Sequence, residues 1–252
     1  MKGFLEEYGL IIVVVAVILL MLLFGKSGYA KSIQDAILGS ADHIVETGEN
    51  ITKKEVNVKA SDIVEIEGTK YLVLEQKENS QALVITASSI GNRKFQSAAR
   101  SDGKNPGTYE VSEIDNYLEN NWYKGLLAKM QSAIQATNIK QTSYDGVDSE
   151  YDFDGLSGKP YNTISRHVFL PSASEISKVV DLKNEDKVKA FLNGANIWTR
   201  HSYSGDSKYV VCLTNYGATA ARETNYWNDV RPAFVIDLSK VDYTEAGHVD
   251  YK

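Results

Sequence analysis

Two apolar segments near the C-terminus constrain the fold of this chain more than any other feature. Residues 196–200 and 230–238 each have the composition of a buried β-strand, with Trp198 in the first and Phe234 in the second. The segment between them is dense in Tyr, Ser, Asn, Asp, Thr and Gly. The sequence therefore predicts two buried strands that bracket a polar and aromatic segment.

The bracketed segment has the composition of a binding surface. Tyr and Trp give a large contact area at low entropic cost, while Ser, Gly and Asn give adaptable hydrogen bonding. The residues expected to contact a ligand are His201, Ser202, Tyr203, Ser204, Asp206, Tyr209, Asn215, Tyr216, Asn225, Tyr226, Trp227 and Asn228. We expect the tyrosines of this set, with His201 and Asn225, to cluster on one exposed face. The side chains expected to be buried are Trp198, Val211, Leu213, Phe234 and Ile236.

The N-terminus differs in kind from the rest of the chain. Residues 10–24 are uninterrupted hydrocarbon, and with their apolar flanks they reach the roughly 20 residues that a membrane-spanning helix needs. We interpret residues 1–30 as a transmembrane anchor, and residues 31–62 as a helical stalk and linker. A cleavable signal peptide is the alternative, because residues 28–30 include small side chains. Glu6 and Glu7 argue against it, because signal peptides carry net positive charge at this end.

Glu7 and Tyr8 stand directly ahead of the apolar segment. An acidic residue followed by Tyr at this place resembles the N-terminus of Flp/Tad-type pilins. If Gly3 is the first mature residue, the pair falls at the fifth and sixth positions of that family, but Lys2 then stands where the family has Gly. The resemblance implies self-association through the N-terminal helix. A plain anchor with a charged flank is the alternative.

The order of elements predicts an α+β domain over residues 63–242, followed by a polar tail at 243–252. Strands are predicted at residues 63–68, 70–75, 81–86 and 166–170, and helices at 111–120 and 122–136. Ser172 and Glu175 have the spacing of a capping box that opens a further helix. Strands return from residue 196 onward, so the two ends of the domain are expected to meet in one sheet.

The order of these landmarks resembles C-type lectin domains of the formylglycine-generating-enzyme type. The matching stretches are residues 70–74, 82–85, 112–118, 122–123, 167–172, 198–200 and 230–236. The resemblance implies a C-type-lectin-like ligand-binding domain over residues 63–242. The last two stretches also resemble those that bracket the hypervariable region in variable proteins of diversity-generating retroelements. That resemblance implies diversification through residues 198–232, with a binding domain of fixed specificity as the alternative.

Charge and composition exclude several classes of function. The net charge is −6 and the Lys and Arg residues are scattered, so the sequence has no basic stripe that could bind nucleic acid. Cys212 is the only cysteine and lies in an apolar run, which predicts a buried, inert thiol and excludes the cysteine-pair chemistry of formylglycine-generating enzymes.

Residues 227–229 match the Trp-Asn-Asp triplet of calcium-dependent lectins without its partner motif, so we expect no metal and no cofactor. A packed Trp227 with a turn at Asn228 is the alternative reading of that triplet. The resemblance also implies that Arg231 pins the final strand.

We therefore expect a non-enzymatic ligand-binding protein of the receptor or adhesin type. It is expected to be a single-pass membrane protein with its C-terminal domain outside the cell, and to bind an unknown protein or surface ligand. The alternative is a pilin-like structural subunit of a surface filament, and a cryptic enzyme is the third class.

Overall fold

The computed structural model describes residues 56–78, 80–99, 102–144, 159–203 and 206–252. All of them belong to one compact unit, Glu55–Lys252. Most of the regular structure in this unit is β-strand, arranged in two sheets.

The first sheet has the strand order β13-β1-β2-β3-β12-β5. Its strands are β1 Asp62–Ile66, β2 Thr69–Gln76, β3 Gln81–Thr86, β5 Ile134–Gln135, β12 Ala233–Asp237 and β13 Tyr243–His248. The centre of β2 and nearly all of β3 are buried, as expected for strands with continuous apolar runs. Strand β1 pairs with β13 and β3 pairs with β12, which confirms that the two ends of the domain meet in one sheet.

The second sheet carries most of the segment that the two apolar anchors bracket. Its strands are β4 Asn92–Lys94, β6 Thr137–Tyr144, β7 Lys159–Arg166, β8 Ile197–Tyr203, β9 Tyr209–Thr214, β10 Ala218–Glu223 and β11 Trp227–Asp229. The main path runs β10-β9-β8-β11-β4, while the β6–β7 pair joins through the end of β8. The two anchors therefore belong to different sheets, β8 to the second and β12 to the first.

The helices are short and begin at recognisable caps. They are α1 Glu113–Tyr117, α2 Tyr123–Gly125, α3 Ala128–Ala133, α4 Ala173–Ile176 and α5 Glu185–Leu192, with a π-helical turn at Leu118–Trp122 and a 3-10 turn at Leu238–Lys240. Ser172 and Glu175 form the predicted capping box at the start of α4, because each side chain accepts a hydrogen bond from the backbone of the other. Ser112 caps α1 in the same region where the sequence predicts a helix start.

One cluster of buried apolar side chains draws on both sheets. The side chains that the sequence predicts to be buried, Trp198, Val211, Leu213, Phe234 and Ile236, are all buried. The rings of Phe95 and Trp198 meet edge to face with centroids 5.8 Å apart, and the rings of Tyr71 and Phe234 do so at 5.4 Å.

The predicted fold class, an α+β C-type-lectin-like domain behind a membrane helix and a helical stalk, is wrong. The described residues are mostly β-sheet, and the longest helix among them, α5, has 8 residues. The helical spacing at residues 122–136 produces only α2 and α3, because Leu126 and Leu127 between them are extended. Val56 to Ser61, inside the predicted stalk, is not helical.

The localisation prediction is corrected as well. No helix in the described part of the chain is long and apolar enough to cross a membrane, so the single-pass membrane assignment is not supported. The residues assigned to the anchor, 1–30, and to most of the stalk lie outside the described residues. At the other end, most of the predicted polar tail is strand β13, which completes the edge of the first sheet beside β1.

Candidate functional site

The bracketed segment places its predicted ligand contacts in three different environments. Tyr216, Tyr226 and Trp227 are exposed by 69%, 53% and 65%. The other side chains that reach the surface are Ser202, Tyr203, Asp206, Tyr209, Asn215 and Asn225. His201 and Asn228 are buried, and Ser204 lies outside the described residues.

The two buried residues serve the interior rather than a surface. His201 lies near the end of β8, where its Nε2 accepts a hydrogen bond from the backbone N–H of Ala173 at 3.2 Å. Asn228 is the central residue of β11, which is flanked by β4 and β8. The expectation that His201 lies on the exposed face is therefore wrong, because its ring instead supports the first turn of α4.

Three tyrosines lie together at one end of the second sheet, and we call Tyr203, Tyr209 and Tyr226 the tyrosine patch. The rings of Tyr203 and Tyr209 meet edge to face with centroids 6.3 Å apart. The Tyr209 hydroxyl donates a hydrogen bond to Glu223 Oε1 at 3.3 Å. The negative charge of Glu223 raises the pKa of Tyr209, and Tyr226 is close enough to contribute to the same effect.

The strand register explains why these side chains meet. Tyr209 begins β9 and pairs with Glu223 at the end of β10, so their side chains share one face of the sheet. The chain then turns, and the Thr224 N–H donates to the Lys208 carbonyl at 2.9 Å. Gly107 packs against the same place, since a Cβ atom there would lie 2.7 Å from the Tyr209 carbonyl oxygen. Only glycine fits this contact without a shift of backbone.

Tyr216 belongs to a different surface. It lies in the turn between β9 and β10, at the end of this hairpin opposite the Tyr209–Glu223 pair. Gly217 in the same turn has φ +85°, and a Cβ atom on it would lie 2.6 Å from the Glu185 carbonyl oxygen. The turn is thus held against the start of α5, and the expectation that all the tyrosines share one face is wrong for Tyr216.

Trp227 lines a groove next to the tyrosine patch. Strand β11 pairs with β4, which places Trp227 opposite Lys94 and Asn228 opposite Arg93. The Lys94 ammonium lies 5.7 Å from the centroid of the Trp227 ring, and the Arg93 guanidinium lies 3.3 Å from that of Tyr117. We call this cavity of about 290 Å³ the cation–aromatic groove. Its lining consists of Arg93, Lys94, Ser97, Glu113, Ile114, Tyr117 and Trp227.

Sequence reasoning missed most of this groove. Arg93 and Lys94 lie in a strand of three polar residues, so no alternation of apolar side chains predicts it. Tyr117 lies in a predicted helix, and nothing in the helical pattern indicates that its ring faces a groove. They meet Trp227 only because β4 pairs with β11, more than 100 residues later in the chain. No local signal in the sequence reports such a pairing.

A larger cavity, about 460 Å³, lies beside β8 and the start of α4. Arg200 and Glu175 form a bidentate ion pair in the wall of this cavity, with N–O distances of 2.6 and 2.7 Å. Burial acts to raise the pKa of Glu175, but the charge and hydrogen bonds of Arg200 outweigh it, and this pKa lies below its usual value. Arg200 also donates to the carbonyls of Lys140 and Leu170, so the pair joins β6, β8 and α4 and serves the fold.

Arg231 and Cys212 are likewise parts of the interior. Arg231 is buried over the Phe191 ring and donates to the carbonyls of Thr86 and Phe191, at 2.7 and 3.0 Å. Burial lowers its pKa to about 10. These contacts match the predicted role of pinning the final strand. The predicted burial of the Cys212 thiol is confirmed, and this burial raises its pKa to about 12.

Among the described residues, no group of three or more His, Cys, Asp or Glu side chains has the arrangement of a metal site. Within the bracketed segment and the strand β4 beside it, the exposed features are the tyrosine patch, the cation–aromatic groove and the Tyr216 turn. Comparison with known proteins finds no matching curated protein and no matching solved structure. One protein-family profile matches residues 79–238, and the chain thus belongs to the family of domains of unknown function termed DUF6273.

Proposed function

We propose that the domain is a non-enzymatic recognition module that binds a protein ligand through the tyrosine patch and Trp227. The observation that carries this proposal is the exposure of Tyr226 and Trp227, by 53% and 65%, at consecutive positions where the chain enters strand β11 of the second sheet. Large aromatic side chains left in water on a rigid framework are typical of interface hot spots.

The backbone beneath these side chains is well held, which supports recognition without a large ordering cost. The buried Trp198 indole donates a hydrogen bond to the Arg93 carbonyl at 2.8 Å, fixing β4. The backbone N–H groups of Phe95 and Gln96 both donate to the Thr224 carbonyl at 3.0 Å, which fixes the chain just before Tyr226. The aromatic side chains therefore project from strands that are tied together on both sides.

Diversification of this surface by a retroelement stays a prediction. The burial pattern narrows the set of positions at which it could act. Within residues 198–232, the interior positions of β8 and β9 are buried, and changing them would cost stability. The positions free to vary are at the turns and on β11, notably Asp206, Tyr216, Asn225, Tyr226 and Trp227. A diversified region in this fold would concentrate its changes there.

Selection of peptides from a random display library against the full-length protein tests the proposal. The selected peptides should lose binding when Tyr226 or Trp227 is changed to Ala, by roughly thirtyfold for a hot-spot residue worth about 2 kcal/mol. Tyr216→Ala is the matched control, since this tyrosine is at least as exposed as Tyr226 and Trp227 but lies at the other end of the hairpin. Peptides that bind equally well to Tyr226→Ala and Trp227→Ala, or that depend on Tyr216 instead, would contradict the proposal.

A further inference from the structure

The cation–aromatic groove carries positive charge on a protein that is acidic overall. The chain has a net charge of −6, yet Arg93 and Lys94 are neighbours on β4 and both line the groove. Among the described residues, no carboxylate forms an ion pair with either of them, and their contacts are with the rings of Tyr117 and Trp227. Two adjacent cations thus remain available to an anion from outside.

The Arg93 side chain is positioned for such an anion. Its guanidinium stacks on the Tyr117 ring at 3.3 Å, which uses the face of the group. The N–H donors of a guanidinium lie in its plane, so stacking leaves them free for a carboxylate, which they can bind through two parallel hydrogen bonds.

The one carboxylate in the groove is already engaged by neighbouring donors. Glu113 Oε1 accepts hydrogen bonds from the backbone N–H and the hydroxyl of Ser97 and from Gln96 Nε2. These contacts hold it toward the Gln96–Ser97 backbone and stabilise its charge there. In the part of the chain that the structure describes, Arg93 and Lys94 are the two charges of the groove that have no carboxylate partner.

The size and lining of the groove select the kind of anion. A cavity of about 290 Å³ that also presents Ile114 and Trp227 suits one or two side chains with apolar and acidic character. Two cations on an acidic protein cannot neutralise an extended polyanion such as nucleic acid. We propose that the cation–aromatic groove binds a carboxylate side chain of an acidic peptide segment, held by Arg93 and Lys94 with an apolar neighbour on Trp227.

This inference rests on the proposed function, because Trp227 belongs to both, and it adds the chemical class of the partner. The probe is a capped tetrapeptide of alternating Glu and Leu, titrated into the full-length protein while the indole N–H signals of its three tryptophans are followed by NMR. Trp227→Phe identifies the signal of the groove. The buried Trp198 indole is the internal reference, because its bond to the Arg93 carbonyl reports that β4 stays in place.

The expected result is a saturable shift of the Trp227 signal with an apparent Kd of about 1 mM, weakening as salt rises from about 0.05 to about 0.5 M. The same peptide with Gln in place of Glu should bind at least about tenfold more weakly, the difference that one charged hydrogen bond gives. The double variant Arg93→Gln with Lys94→Gln should lose a similar factor. Lys124→Gln with Lys240→Gln removes the same charge elsewhere and should leave binding unchanged.

Any one of three results in this titration would overturn the inference. They are equal binding of the Glu and Gln peptides, binding unaffected by the Arg93 and Lys94 double variant, and no saturable shift of the Trp227 signal. Glutarate that binds as tightly as the peptide would contradict the peptide as the partner. If display-selected peptides require Trp227 but are not enriched in Asp and Glu, this inference fails while the proposed function stands.

Discussion

Trp198, in the first apolar anchor, and Trp227, in the bracketed segment, lie on neighbouring strands, yet their environments are opposite. Trp198 is fully buried on β8, whereas Trp227 is exposed by 65% on β11. Strand β8 is seven residues long and pairs with β9, β11 and β6, so neighbours surround it. Strand β11 has three residues and pairs along its length only with the equally short β4.

The difference teaches that position in the sheet, not residue type, decides which side chains are free to bind. The same contrast holds between His201, which is buried on β8, and Tyr226 just before β11. Changes on β8 should therefore act on stability, while changes of the exposed residues at the start of β11, Tyr226 and Trp227, should act on binding. The predictions that follow test this division.

The largest expected effect is the change of Trp198 to Ala. It removes a fully buried ring that packs on Phe95 and leaves the Arg93 carbonyl without its indole donor, so unfolding free energy should fall by about 3–5 kcal/mol. Urea denaturation of the wild type and the variant measures this. A loss below about 1 kcal/mol would mean that β8 is not the rigid centre that its burial indicates.

Arg200→Leu, on the same strand, should be nearly as damaging. It leaves Glu175 without its ion-pair partner in a buried place, at a cost of about 3 kcal/mol. The pKa of Glu175 is lowered in the folded state, so its ionised form stabilises the protein above its ordinary pKa, and that contribution is lost as pH falls below this value toward the folded pKa.

Thermal melts between pH 7 and pH 3 measure how much of the stability depends on the ionisation of Glu175. The wild type should lose this part of its stability in the acidic range, whereas Glu175→Gln should show a flatter dependence on pH. The same slope in both proteins would show that Glu175 does not contribute to acid sensitivity.

Gly217→Ala should have an intermediate effect. The residue has φ +85°, and a Cβ atom would clash with Glu185 Cγ and lie 2.6 Å from the Glu185 carbonyl oxygen, so both strain and displacement of α5 are expected, at about 2 kcal/mol. Gly68→Ala is the matched control, since its φ is +76° but nothing lies near its Cβ position. Gly68→Ala should lower the free energy of unfolding only by the strain of placing Ala in a left-handed conformation, about 1 kcal/mol. Equal melting temperatures for the two variants would show that the β9–β10 turn does not pack on α5.

The parts of the fold that could be predicted from sequence are those with a local cause. The apolar run of residues 82–85, flanked by Gln81 and Thr86, gives strand β3 at the predicted bounds, and Ser172 with Glu175 gives the predicted capping box. The burial of Trp198 and Phe234 follows from the apolar anchors around them. Each of these depends on neighbours within a few residues.

The parts that could not be predicted depend on pairing between distant segments. Residues 218–223 contain three alanines and no alternating pattern, and they form a strand because β9 supplies the partner. His201 lies in a polar and aromatic stretch that is typical of a surface, but its ring is buried against the start of α4. Arg93 and Lys94 enter the candidate site only through the pairing of β4 with β11.

The smallest expected effect on stability, and the sharpest test of the comparison, is Trp227→Ala. The residue is exposed by 65% and the Lys94 ammonium lies 5.7 Å from the centroid of its ring, so the unfolding free energy should change by less than about 0.5 kcal/mol. Tyr216→Ala should be equally neutral to stability, because this side chain is exposed by 69%. Urea denaturation gives both values, and binding of a display-selected peptide should then separate the two variants, with only Trp227→Ala weakening it. If Trp227→Ala destabilises the domain as Trp198→Ala does, Trp227 serves the fold, and the division between a structural β8 and a binding β11 is wrong.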